Sequence, residues 1–408
     1  MNQPDYMKNK SSNTLIKISK SVCTHNVYPR PRMALCLVAR CTWGLSLSAN
    51  AGGKKMCFLT FDAPGAGTAA GQGTFANGMN NPGSIVGFIR DANSARHAFL
   101  RAPDGTFTMF DDPNAGSCSA SCGSIGNGQG TRAYAINPGG EIVGFFTDNS
   151  AHCHGFVRAN NGAFTQIDAP DAGTGPFPQG TFPSEFTPMG INSPGQITGF
   201  YVDASSVQHG FVRDHNGKIT EFDPPGSILT NPNAIDDPGD ITGFYFDANF
   251  VGHGFLRDHN GNFTSFDAPG ADMTGDGNGT FGVGLTPSGE VEGVYVDVNG
   301  VLHGFLRSKN GTFTTFNVPV AGTGPGQGTL PESNNTQGDI AGNYLDSNGA
   351  DHGFLFDQQG NFTLFDVPGT GTGAGQGTIP LSNNSADSVT GEYIDGSNVT
   401  HGFLVDGL

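Results

Sequence analysis

Seven segments of the chain align on one another without a gap: IVGFIRDANSARHAFL from Ile85, IVGFFTDNSAHCHGFV from Ile142, ITGFYVDASSVQHGFV from Ile197, ITGFYFDANFVGHGFL from Ile241, VEGVYVDVNGVLHGFL from Val291, IAGNYLDSNGADHGFL from Ile340 and VTGEYIDGSNVTHGFL from Val389. In the first six, the separation from the opening Ile or Val to the proline of a following FDxP-like run is always 28 residues, from Ile85 to Pro113 through Ile340 to Pro368. A stretch that tolerates no change of length is packed framework. A period of 44 to 57 residues means one supersecondary unit made again and again, which cannot bury its apolar face without its neighbours.

Each copy reads as four short strands separated by turn signals. The first lies around motifs such as TFAxxMN and ends in a turn such as NPGGE or NSPGQ; the second is IxGxYxD, the third HGFLRD and the fourth FTxFD. Asn and Gly in DHNG suit a tight hairpin. Four antiparallel strands per unit, repeated seven times, predict an all-β chain folded as a seven-bladed β-propeller. The last copy stops at HGFLVDGL without a fourth strand, whereas CFLTFDAP at residues 57–64 is a fourth strand without a unit. Pairing the two closes the ring and removes an exposed sheet edge. The expected division is a leader at 1–56, the closing strand at 57–64, and blades at 65–113, 114–170, 171–225, 226–269, 270–319, 320–368 and 369–408. An open β-solenoid is the alternative.

The triplet at His97, Ala98 and Phe99, which reads HGF in the other six copies, resembles the HAF family of probable extracellular repeats over roughly Phe58 to Leu408. That resemblance implies export and a repeat architecture, and it brings no reaction with it. The N-terminal segment agrees with export: Arg30 and Arg32 precede a mostly apolar stretch that ends in Ala49, Asn50 and Ala51, the layout of a secretory signal with its cleavage site. No uninterrupted run of about 18 apolar residues argues for a membrane span.

The formal net charge of −17 hides an asymmetry, since 9 of the 19 basic residues lie before Cys57 with one acidic residue, Asp5. A repeat region that acidic repels nucleic acid and anionic lipid. Glycans, basic proteins or cations fit as partners, and a monomer is expected.

Every copy holds an aspartate and a histidine six residues apart: Asp91 and His97, Asp148 and His154, Asp203 and His209, Asp247 and His253, Asp297 and His303, Asp346 and His352, Asp395 and His401. One such pair suggests a catalytic dyad; seven equal pairs suggest a hinge between the second and third strands, with the aspartate accepting turn amides and the histidine bonding to it or to backbone. The aspartates Asp62, Asp111, Asp168, Asp223, Asp267 and Asp366, with Asn317 in the seventh place, should share a face with these hinges and form an acidic binding rim, beside which all the variable interblade loops fall. Calcium is a weaker possibility at Asp272, Asp276 and Asn278. The loops GTGPGQGT and GTGAGQGT lack the Lys and Ser or Thr of a phosphate cradle and read as crossovers between blades. Cys118 and Cys122 suit a disulfide in an exported chain, or, with Cys153 and His152, a zinc site of irregular spacing.

Function is then expected where the copies disagree. The favoured reading is an exported scaffold that binds a glycan, a protein or a cation through its variable acidic face, without a cofactor. The alternative is a polysaccharide lyase or glycosidase built from residues that occur once, Arg132, Tyr134, Glu185 and Glu332, with a carboxylate pair at Glu185 and Glu332.

Overall fold

The computed structural model describes residues 46–49, 55–116, 129–184, 187–275, 277–286 and 288–408, all within one compact unit, Trp43–Leu408. The repeat motifs become strands almost residue for residue. In the first unit Gly73–Met79, Ile85–Arg90, Arg96–Arg101 and Phe107–Phe110 pair in order as antiparallel neighbours. The second unit repeats this with Gly130–Ile136, Ile142–Thr147, Cys153–Arg158 and Phe164–Ile167. Four more such ladders span residues 180–222, 229–266, 280–316 and 328–365.

The C-terminal unit has three strands of its own, Gly377–Asn383, Val389–Ile394 and Thr400–Asp406, and takes its fourth from the other end of the chain: Lys55–Phe61 lies antiparallel to Thr400–Asp406, with Leu59 opposite Leu404. This pairing excludes the open solenoid. A further strand, Ser46–Ala49, lies outside Lys55–Phe61, and Met56 is buried in the core of this unit, so ordered sheet begins before Cys57, inside the segment read as leader. Among the described residues no helix is long and apolar enough to cross a membrane.

The HGF triplet has a physical reading. Its phenylalanine, Phe99 through Phe403, is fully buried in every unit and forms the floor between neighbouring sheets. In five units its glycine lies under the ring of the fourth-strand phenylalanine: a Cβ at Gly254 would stand 2.1 Å from the Phe266 ring. The histidine and the phenylalanine, two residues apart, share the face opposite the glycine, as alternation along a strand requires.

Neighbouring units join at the start of each first strand. Thr74 Oγ1 accepts the Ala63 amide, and Thr131, Thr181, Thr280, Thr329 and Thr378 do the same for Asp112, Ala169, Ala268, Val318 and Val367. The glycine before this threonine needs positive φ and room: at Gly377, with φ of 138°, a Cβ would sit 2.0 Å from the Asp351 carbonyl oxygen. The GQGT loops are therefore crossovers. At the other end of the first strands a chain of carboxamides runs from unit to unit, with Asn80 Nδ2 donating to Asn137 O, Asn137 to Asn192 O, Asn192 to Asp236 O and Asn335 to Asn384 O. Ser385 N joins the last unit to the first on Asn81 Oδ1. Residues from all of these units line one central mouth of about 200 Å³.

Candidate functional site

The hinge aspartates accept two turn amides each. Asp203 Oδ1 takes those of Ser205 and Val207, and Asp91, Asp148, Asp247, Asp297, Asp346 and Asp395 repeat the pattern. The nearer partner of each histidine is not its hinge aspartate. His97, His154, His209, His253 and His352 hold Asp111, Asp168, Asp223, Asp267 and Asp366 through Nδ1 at 2.7 to 2.9 Å, His401 holds Asp62 at 2.9 Å, and His303 holds Asn317 at 2.8 Å. Nε2 then faces the hinge aspartate at 3.4 to 4.0 Å. The imidazole thus bridges two acidic residues that end the second and fourth strands, which places both sets on one rim. In five units it also stacks on a tyrosine ring at 4.9 to 5.1 Å. Hydrogen bonding to Asp111, Asp168 and Asp62 raises His97, His154 and His401 above the ordinary histidine range.

Asp272 spends its oxygens within its own loop, on the Thr274 amide and hydroxyl and on Asn278 Nδ2; Asp276 lies outside the described residues, as do Cys118, Cys122 and Glu185. Cys153 packs with Phe145 and Phe182, away from the ligand set that His152 joins with Asp148 and His154.

Chemistry that is not repeated collects near the axis, at the first and second strands. Arg132 and Tyr134 share the strand Gly130–Ile136 and face Arg90 and Arg96 of the preceding unit across a pocket of about 280 Å³ that is also lined by Phe75, Phe88 and Phe145. The rings form two stacked pairs, Phe75 on Phe88 at 4.8 Å and Tyr134 on Phe145 at 5.7 Å, joined by a tilted contact of Phe88 with Tyr134 at 6.1 Å. The Arg132 guanidinium lies 4.6 Å from the Phe145 centroid. Burial, then the charges of Arg132 and Arg90, lower Arg96 to about 9, so it stays cationic at neutral pH. Sequence reasoning found Arg132 and Tyr134; it missed Arg90 and Arg96, whose signal was that the other copies carry no arginine at either place.

A second sector gathers carboxyls. Glu332 occupies the bulge of the strand Gly328–Asn334, with Pro331 and Ser333 opposite consecutive residues of the next strand. Burial, then Asp351 and Glu392, push its carboxyl up to about 8. Burial and Asp351 push Glu392 to about 7. Glu292, completely buried, rises well above the carboxylate range through desolvation and the neighbouring Glu332. Among the described residues neither of its oxygens has a hydrogen-bond partner. Glu292, Asp351 and Glu392 were not singled out from the sequence, although each replaces an apolar or differently charged residue of the other copies.

No protein-family model matches the chain, and no curated protein matches it in sequence. Among solved structures it is similar to the BP39L lectin of Burkholderia pseudomallei, with a TM-score of 0.50 at 13% identity over 81% of this chain and 94% of that one. It is also similar to the Aleuria aurantia lectin, described as a six-bladed β-propeller with a novel mode of fucose recognition, with a TM-score of 0.41 at 14% identity over 78% and 100% of the two chains. A puromycin hydrolase matches with a TM-score of 0.48 at 13% identity over 81% of this chain and 50% of its own length. At such identities the likeness is one of fold: the chain is a repeat-built β-propeller.

Proposed function

We propose that this chain is an exported, seven-bladed β-propeller that binds glycans, and that the pocket between its first and second units takes a sugar carrying a carboxylate. The observation that carries the reading is the meeting of Arg90, Arg96 and Arg132 with the rings of Phe75, Phe88, Tyr134 and Phe145 in one pocket. An aromatic face packs against the apolar C–H face of a pyranose, and a guanidinium presents paired donors to a carboxylate. The chain's formal charge of −17 repels an extended polyanion such as nucleic acid, whereas a single carboxylate feels the nearby guanidinium groups first. A lectin of the same fold supports the glycan class. Seven blades are supported by the six four-stranded ladders and the shared C-terminal one, and by the bond that joins the last unit to the first. Export and kinship with HAF-repeat proteins rest on the N-terminal segment and the HAF and HGF triplets. The acidic rim, whose aspartates are each held by a histidine, serves in this reading mainly to fix the hinges that carry the variable loops.

The test is binding to a panel of neutral and uronic or sialic oligosaccharides. Carboxylated members should bind, and Arg132→Ala should abolish that binding while the fold is kept. Binding of neutral sugars alone, unaffected by Arg132→Ala, would overturn the assignment.

A second reading is favoured by the acidic sector: Glu332, at about 8, is mostly protonated at neutral pH, as a general acid acting on a glycosidic oxygen must be, while Glu392, at about 7, is divided between its two forms. The carboxyls near Glu332 are Asp351, Glu392 and Glu292. Release of reducing sugar by the protein, abolished in Glu332→Gln, would establish a glycosidase; no turnover of the bound glycan would dismiss it.

A further inference from the structure

The hinge between the second and third strands is the same in every unit except at one place. Four residues after the hinge aspartate stand Ala95, Val207, Val251, Val301, Ala350 and Val399 in six units, and His152 in the second. The substitution puts a second imidazole beside a constellation already built. Asp148 Oδ2 lies 3.6 Å from His152 Nδ1 and 3.9 Å from His154 Nε2, and the three ligand atoms all fall within 4.8 Å of one another.

We infer that Asp148, His152 and His154 form a binding site for a transition-metal ion of the zinc class on the rim of the second unit. Two imidazole nitrogens and one carboxylate oxygen are a donor set that suits such an ion and not calcium, which asks for six or more oxygens.

The surroundings hold these groups as a metal site requires. Asp168 Oδ1 lies 2.8 Å from His154 Nδ1; because a carboxylate only accepts, the proton sits on Nδ1, and the Nε2 lone pair points toward Asp148. This carboxylate–histidine arrangement is the one that orients metal-bound imidazoles. Gln166 Nε2 donates to Asp168 Oδ2 at 2.6 Å and fixes the orienting group in turn. Asp148 Oδ1 is occupied by the amides of Ser150 and His152, both at 2.8 Å, which leaves Oδ2 for the ion. The side chains of Asp148, His152 and His154 keep 25, 35 and 24% of their surface exposed. An ion can therefore enter from solvent and retain water in its remaining positions. The other six hinges keep the Asp–His–Asp or Asp–His–Asn frame without the second imidazole, so the molecule contains its own controls.

The experiment is titration of untagged, chelator-stripped full-length protein with Zn2+, Co2+ and Ca2+, followed by calorimetry and, for Co2+, by its visible absorption. One equivalent of Zn2+ and of Co2+ should bind, with no heat from Ca2+. His152→Val, which installs the residue that four other units carry and so keeps the fold, should remove the binding; melting temperature without metal should change little. Asp168→Asn should weaken it by about 10- to 100-fold. The inference fails if His152→Val binds zinc as the parent does, if Ca2+ binds in place of zinc, or if binding survives His152→Val and is lost in Cys118→Ser/Cys122→Ser.

Discussion

Arg96 and Asp351 occupy the same place in the repeated frame, the first residue of a third strand, each beside the glycine that opens the next unit. Around Arg96 lie Phe75, Phe88, Arg132 and Tyr134. At the corresponding places around Asp351 stand Leu330, Asn343, Ile379 and, at the Phe145 position, Glu392, while Leu381 stands at the Tyr134 position and the bulge of Asp351's own unit carries Glu332 where the first unit has Asn77. One backbone thus carries a cationic aromatic pocket at the boundary of the first two units and a cluster of reluctant carboxylic acids in the last three, the two sectors meeting where Thr400 pairs with Gly73. The contrast teaches that this fold separates two jobs by position: glycines, β-branched residues and the HGF phenylalanine hold the sheets together, and residues near the axis at the unit boundaries are free to vary.

If that separation holds, the frame must cost the same wherever it is broken. Phe99 and Phe403 are both fully buried, the first in the unit that contributes to the cationic pocket and the second in the unit that carries Glu392. Phe99→Ala and Phe403→Ala should each destabilise the protein by about 3–5 kcal/mol in denaturant unfolding. A cost at one site less than half that at the other would show that the ring closed by Lys55–Phe61 is not mechanically uniform.

The frame was legible in the sequence because its constraints are short-range and repeated. A glycine that must let a carbonyl approach, a phenylalanine that must fill a sheet interface and a hinge aspartate that must accept two amides leave the same letters in each copy. Strand order, the shared C-terminal ladder and the common rim of Asp203 and Asp223 followed from those letters. The histidine partner did not: His209 and Asp203 are six residues apart and suggested each other, yet Nδ1 reaches Asp223, fourteen residues away, because adjacent antiparallel strands bring their ends together. The pockets were least legible. Arg132 meets Arg96 only through the parallel contact between consecutive units, and Glu332 feels Glu392 across another such boundary, distances that no spacing within one copy encodes.

The comparison can be sharpened by moving one sector's chemistry into the other. Arg96→Asp installs the residue of the sixth unit in the first. It removes one guanidinium from the pocket and sets a carboxylate against an incoming one, and a desolvated charge pair at an interface is worth about 2–5 kcal/mol. Affinity for carboxylated glycans should therefore fall at least about 30-fold by that conversion, with the unfolding midpoint nearly unchanged. Retention of affinity would mean that the pocket does not hold the ligand.

The acidic sector is tested through pH. Glu292, Glu332 and Glu392 all titrate higher in the folded chain than the ordinary 4.5 of a glutamate, so the folded state binds more protons, and stability is greatest below about 4.5 and declines as pH rises toward 8. The raised His97, His154 and His401 act in the same sense, losing their contribution as pH passes their folded values. At the acid end Asp247, Asp258 and Asp395, held low by turn hydrogen bonds, lose theirs as pH falls below the ordinary 3.8. The melting temperature should therefore peak near pH 5 and fall toward pH 8. Val86 and Val143 stand at the Glu292 position in the first two units. Glu292→Val removes a buried carboxyl without hydrogen-bond partners among the described residues and should raise stability by about 1–3 kcal/mol, the gain being larger at pH 8 than at pH 5 because burial opposes the charged form that rising pH favours. An equal gain at both pH values would mean that packing, and not charge, sets the cost of Glu292, and that the two sectors differ less in their electrostatics than their residues imply.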